Sequence, residues 1–140
     1  MKMSLTRMWI LCMVALLGAC GGTDFAGDYE GALTRTVTQT NTSMLSIEKW
    51  HINDNNSELQ RTWGGGHCVL ELQRGCPLGC YARTAEPGGT CVIDDQLYVL
   101  EHGIIDLATV GHDVFLVDFS WAREDGTPMA LIETGTMVQK

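Results

Sequence analysis

The stretch VFLVDFSW, Val114–Trp121, places Phe115, Val117, Phe119 and Trp121 on one side of an extended chain, with Asp118 and Ser120 on the other. A period of two marks a strand with one face buried and one wet. The same period recurs on either side. In HCVLELQR, residues 67–74, Cys68, Leu70 and Leu72 share a face opposite Glu71 and Gln73. In DYEGALTRTVTQT, residues 28–40, Tyr29, Gly31, Leu33 and Val37 oppose Glu30, Thr34, Thr36 and Thr38. The many threonines there favour a strand over a helix. Two further apolar runs, QLYVLE and IIDLATV, are divided by His102-Gly103, and the chain closes with MALIETGTMV. Turn residues separate these segments: NDNN at 53–56, GGG at 64–66, PLG at 77–79, EPGG at 86–89, DD at 94–95 and EDGTP at 124–128. Short alternating runs at such spacing predict an all-β domain, a single antiparallel barrel or a sandwich.

The N-terminus has a different character. MKMSLTR carries Lys2 and Arg7 and no acid, and Met8–Leu17 is apolar without a charge. A membrane-spanning helix needs roughly 20 apolar residues, so this run is too short to span. A positive start, a short apolar core and small residues after it form the layout of an export signal. Within LLGACGGT, residues 16–23, the tetrad Leu17-Gly18-Ala19-Cys20 resembles a bacterial lipobox. That resemblance implies cleavage before Cys20 by signal peptidase II. It further implies a diacylglyceryl thioether on Cys20 and an amide-linked acyl chain of the palmitate type. Gly21, rather than an Asp, follows the cysteine, which by the same resemblance implies the outer membrane of a bacterial envelope. The competing reading is an ordinary signal cut near Ala19 and a soluble exported protein. The expected organisation is a signal peptide over 1–19, a lipidated tether over 20–26 and an antiparallel β domain over 27–140.

The whole chain carries a formal charge of −8. Losing Lys2 and Arg7 leaves seven basic against 17 acidic residues, or −10. Nucleic-acid binding needs clustered Lys and Arg, and docking of a basic face on anionic lipid needs the same. Neither partner is expected; contact with the membrane is through the lipid. The acids are scattered along the chain, which reads as a solvated surface.

With Cys12 in the signal and Cys20 lipidated, four cysteines remain: Cys68, Cys76, Cys80 and Cys91. An even number in an exported chain reads as disulfides. Zinc is the alternative, but C-x7-C-x3-C-x10-C lacks the paired C-x2-C of structural zinc sites. In CPLGC, Pro77, Leu78 and Gly79 suit a three-residue hairpin loop that sets Cys76 opposite Cys80. That register leads Cys68 towards Cys91 if the EPGG loop folds back; an outward loop would leave the second pair open.

Gly27-Asp28-Tyr29-Glu30-Gly31 resembles the Gly-x-Trp opening of lipocalin-like barrels, with Tyr in place of Trp. The likeness covers five residues and implies a barrel rather than a sandwich. In an eight-stranded barrel, Tyr29, Phe115, Phe119 and Trp121 would either fill the interior or line a cavity for one small ligand.

No arrangement in the chain points to catalysis. His51, His67, His102 and His112 occur in neither H-x-x-x-H nor H-E-x-x-H, and no serine lies in G-x-S-x-G. Asp94-Asp95 and His112-Asp113 are adjacent pairs, whose side chains point to opposite faces of a strand. No metal, cofactor or catalytic residue is expected. Two function classes follow: a non-enzymatic, lipid-anchored envelope protein acting on an unidentified envelope protein, or a lipocalin-like carrier of a small apolar ligand.

Overall fold

A computed structural model describes residues 25–73, 82–107 and 114–140. They form nine strands and no helix: β1 Gly27–Val37, β2 Thr42–Ile52, β3 Glu58–Trp63, β4 Gly66–Glu71, β5 Ala82–Thr84, β6 Thr90–Ile93, β7 Gln96–Leu107, β8 Val114–Arg123 and β9 Ala130–Gln139. All pair antiparallel in one sheet, in the order β4-β3-β2-β1-β9-β8-β7-β5, with β6 also on β7. The first strand therefore lies between β2 and the last, with Tyr29 opposite Gln139 and Val37 opposite Leu131.

The two edges of this path meet. Leu72 and Ala85 form a bridge between the end of β4 and the end of β5. Beside it, Gln73 N–H donates to Thr84 O at 2.8 Å and Glu86 N–H donates to Glu71 O at 2.7 Å. One continuous curled sheet of this kind is a barrel-like body rather than two stacked layers. A disulfide between Cys68 on β4 and Cys91 on β6, with Cα atoms 5.4 Å apart, ties the same seam. Cys76, Cys80 and the CPLGC hairpin lie outside the described residues, as do Cys20, His112 and Asp113.

The alternation that predicts strands is the one that builds the core. Phe115, Val117, Phe119 and Trp121 are all buried, as are Cys68, Leu70 and Leu72. QLYVLE and the first four residues of IIDLATV are not divided; they are one strand, β7, with a bulge between Leu100 and His102, and residues 108–110 lie outside the described residues. The extra residue shifts the inward phase. Tyr98 and Leu100 point in before it, Gly103 and Ile105 after it. Without the bulge one half of the strand would turn its apolar side chains to water. The Asp94-Asp95 pair makes the two-residue loop between Ile93 and Gln96, both at positive φ (51° and 63°), as a type I′ turn requires.

Strands β1 and β9 approach so closely that two positions must be glycine. A Cβ on Gly31 would lie 2.1 Å from Thr136 O, and one on Gly135 2.2 Å from Ala32 O. Phe25, the first described residue and two before β1, has a fully buried side chain.

Candidate functional site

The inward phase of four strands carries charge as well as apolar side chains. On β1 it runs Tyr29, Leu33, Arg35; on β2 Ser46, Glu48, Trp50, Ile52; on β3 Leu59, Arg61; on β9 Leu131, Glu133, Met137. Arg35, Glu48, Arg61 and Glu133 thus meet inside the barrel, with Arg61 and Glu133 wholly shielded from solvent. The expectation that the acids form a solvated surface fails for Glu48 and Glu133. Both occupy positions that alternate with core residues, and the sheet's curvature turns those positions inward.

Each carboxylate is held by both guanidinium groups. Arg61 Nη1 and Nη2 donate to Glu133 Oε1 and Oε2 at 2.8 Å each, while Nε and Nη2 reach Glu48 Oε1 and Oε2 at 2.9 and 2.8 Å. Arg35 Nε donates to Glu133 Oε2 at 2.9 Å and Nη2 to Glu48 Oε2 at 3.1 Å. Two indoles complete the carboxylate shells: Trp50 Nε1 to Glu48 Oε1 and Trp121 Nε1 to Glu133 Oε1, both at 2.8 Å. Ser46 Oγ donates to Glu48 Oε2 at 3.2 Å. Among the described residues no buried side-chain nitrogen or oxygen lacks a partner.

The two charges of each sign cancel, and aromatic rings enclose them. The Arg61 guanidinium lies 5.3 to 5.9 Å from the ring centres of Phe119, Trp63, Trp50 and Trp121. Trp63 also covers Arg35, at 4.7 Å. Burial alone would push the Glu133 carboxyl up; Arg61, then Arg35, outweigh it and hold the group below the usual carboxylate range. Burial would likewise depress Arg61, but Glu133 and Glu48 prevail and fix its positive charge. A general acid or base must change protonation near its working pH. Glu133 and Arg61 are shifted away from that condition.

In the other half of the interior the described side chains are apolar and packed ring against ring. Phe115 sits between Phe25 (ring centres 5.0 Å) and Tyr29 (4.9 Å), and Phe119 stacks on Trp50 at 5.8 Å and meets Trp121 edge-on at 6.2 Å. The gap among Tyr29, Trp50, Ile52, Ile105, Phe115 and Met137 has no room for a water molecule. Tyr29, Phe115, Phe119 and Trp121 are thus brought together in one core, Phe119 and Trp121 beside the ions and Tyr29 and Phe115 at the apolar end.

Outside the barrel two features stand out. An open groove of about 180 Å³ runs over β1, β2 and β3, lined by Asp28, Glu30, Lys49, His51, Gln60 and Lys140 among others. His51 Nδ1 lies 2.8 Å from Asp28 Oδ1, and Glu30 pairs with Lys49 at 3.7 Å and with Lys140. Further along the same strands, Ile47, Ala32, Thr136 and Leu116 stand side by side across β2, β1, β9 and β8. Leu45 (68 % exposed), Ile47 (66 %) and Leu116 (50 %) leave this outer face unusually apolar. No group of three or more His, Cys, Asp or Glu among the described residues is placed to hold a metal ion. Among the described residues no helix is long and apolar enough to cross a membrane.

The ion cluster was missing from the sequence reading, yet a signal for it exists. Arg35 falls between Leu33 and Val37, and Glu48 between Ser46 and Trp50, in phase with inward residues. A charge in that phase is either an error of register or a buried partner.

No family model matches the chain, and no curated protein matches it. Among solved structures it is similar to a protein of unknown function from the DUF3598 family of Nostoc punctiforme, with a TM-score of 0.57 and 10% identity. The likeness covers 84% of this chain and 48% of that one, so this chain spans about half of its length. At that identity the likeness is one of fold.

Proposed function

We propose that the protein is a non-enzymatic, lipid-anchored component of a bacterial cell envelope that acts through the outer surface of its barrel. The dense packing of the described interior residues is the observation that carries this reading. Aromatic rings and a self-neutralising ion cluster occupy the space that a carrier would leave for its ligand, and drug-sized pockets are commonly 300 Å³ or more. The apolar row Ile47, Ala32, Leu116 on the outer face supplies a surface suited to a protein partner. The anchor rests on the apolar core Met8–Leu17 followed by Leu17-Gly18-Ala19-Cys20, with the outer membrane as destination. Two acyl chains or more hold a protein stably at a bilayer.

Two measurements test it. Cells making the wild type or Cys20→Ser are labelled with radioactive palmitate; label on the wild type alone is expected, and equal labelling refutes the anchor. Detergent-solubilised envelopes are then cross-linked with wild type and Ile47→Lys. Loss of one specific cross-linked species in the variant is expected, and an identical pattern refutes the partner surface.

A further inference from the structure

We infer that the outer face of β2, β1 and β9 docks a second copy of this chain, the two sheets packing face to face about a two-fold axis that runs along β1. The inference rests on the outer face proposed above as a partner surface, not on the anchor, and it names that partner. Outward on β2 stand Ser43, Leu45 and Ile47, level in turn with Thr36, Thr34 and Ala32 on β1. Beside these on β9 stand Ile132, Thr134 and Thr136. None of them is charged. The chain as a whole carries −8, and Glu71, Glu101, Asp106 and Asp118 stand exposed on β4, β7 and β8. Two such acidic bodies repel through those flanks and can meet without repulsion on the neutral face. A basic partner would find its complement on the flanks instead.

Side-chain size selects the same partner. A two-fold rotation about β1 sets β2 of one copy over β9 of the other and keeps each level in place. Leu45 then lies over Thr134, Ile47 over Thr136 and Ser43 over Ile132, so a large side chain meets a small one each time. Strand β1 meets itself through Ala32, Thr34 and Thr36, whose small side chains let the sheets approach. At the end of the contact Glu30 nears Glu30 of the other copy, each already paired with Lys49 and Lys140. Asp118 on β8 falls outside the contact and keeps its water. A barrel is convex outside, so the strip is three strands wide, about 14 Å at the usual strand spacing, and about 23 Å long. It hides on the order of 500 Å² of each copy, which just reaches the size of a specific interface and predicts a weak dimer. A bilayer fits the face less well. The Ser and Thr hydroxyls would lose water there without gaining partners, and the strip lacks the Trp and Tyr of a membrane interface.

The test uses the full chain, purified in a mild non-ionic detergent, with substitutions only at exposed positions. Thr34→Cys, on the axis, is treated with a bis-maleimide whose span suits the roughly 10 Å between packed sheets. The wild type sets the background from the native cysteines. A covalent dimer that grows from micromolar to submillimolar protein is expected, while Gln60→Cys on β3 should stay at background. Adding Ile47→Lys to Thr34→Cys should cut the dimer about tenfold, because it buries a charge over Thr136. Adding Thr136→Glu as well should restore it by supplying the opposite charge. A yield from Thr34→Cys no greater than from Gln60→Cys, or unchanged by Ile47→Lys, would overturn the dimer. Failure of Thr136→Glu to rescue would overturn the placing of β2 on β9. A monomeric chain whose Ile47→Lys variant still loses a cross-linked species in envelopes would mean a different protein partner. The inference would then fall and the proposed partner surface stand. A monomer whose Thr34→Cys dye is shielded from an aqueous quencher by phosphatidylcholine vesicles would give the face to lipid and overturn both.

Discussion

Arg61 and Glu133, 72 residues apart in the chain, meet fork to fork, with two parallel hydrogen bonds of 2.8 Å and neither side chain touching solvent. Such bidentate geometry is the strong form of the pair. It does not follow that the pair adds net stability, because two charges had to leave water to make it. What does follow is the penalty for breaking it. Arg61→Met leaves Glu48 and Glu133 facing Arg35 alone, and Glu133→Gln leaves two guanidinium groups facing Glu48 alone. Each is expected to lower the stability measured by urea unfolding by about 3–5 kcal/mol. The double variant Arg61→Met, Glu133→Gln keeps a neutral Arg35–Glu48 pair and should lose less than the sum of the two. Strict additivity would show that the four residues do not act as one unit.

Acid should unfold the protein through Glu133. Its carboxyl titrates below the ordinary range when folded, because Arg61 and Arg35 outweigh burial. A depressed folded value means that the stability is fully present above the unfolded value and is lost as pH falls through the folded one. Urea midpoints should be level from pH 7 to about 5 and decline below about pH 4.3, the ordinary glutamate value. Glu133→Gln should flatten that decline. A wild type as stable at pH 3 as at pH 7 would contradict the assignment.

Trp63 covers Arg35 and Arg61 from the solvent side and is the part-exposed one of the three tryptophans among the described residues. Acrylamide should quench it first, and Trp63→Phe should remove most of the quenchable emission. Trp63→Ala removes two cation–π contacts and is expected to cost about 1–2 kcal/mol. Quenching that persists in Trp63→Phe would show that Trp50 or Trp121 is open to water.

The Cys68–Cys91 bridge closes 23 residues of chain across the seam between β4 and β6. Loop-closure entropy assigns such a bridge roughly 3 kcal/mol. Cys68→Ala with Cys91→Ala should shift the urea melt by that order and leave the far-ultraviolet circular dichroism that of a β protein. Peptide mapping that joins Cys68 to Cys76 or Cys80 would refute the pairing.

Most of the strand pattern is legible in the chain because period two survives curvature. VFLVDFSW, HCVLEL and DYEGALT bury the side chains their alternation selects, and the turns at 53–56, 64–65 and 94–95 fall where Asn, Asp and Gly collect. What was not legible depends on partners distant in sequence. A single charge in the inward phase, such as Arg35, looks like noise until the curl of the sheet brings Glu133 to it from 98 residues away. The bulge at Glu101 was hidden for a similar reason. An extra residue interrupts the period, and an interrupted period resembles two short elements. Phe25 carries no periodic signal, since it plugs an end rather than lining a strand.

The pairing of β1 with β9 has a consequence for the order of events when the chain is made. Tyr29 on the first strand and Gln139 on the last must be neighbours before the sheet can close. Contacts of such high sequence separation form late and slowly. Until β9 arrives, Arg35, Arg61 and Glu48 would carry an uncompensated positive charge into a dry interior, and only Glu133 removes it. A shortened chain lacking the last strand therefore has both an open edge and an electrostatic reason not to collapse. A protein built this way is expected to stay unfolded until β9 is available to close the sheet and supply Glu133.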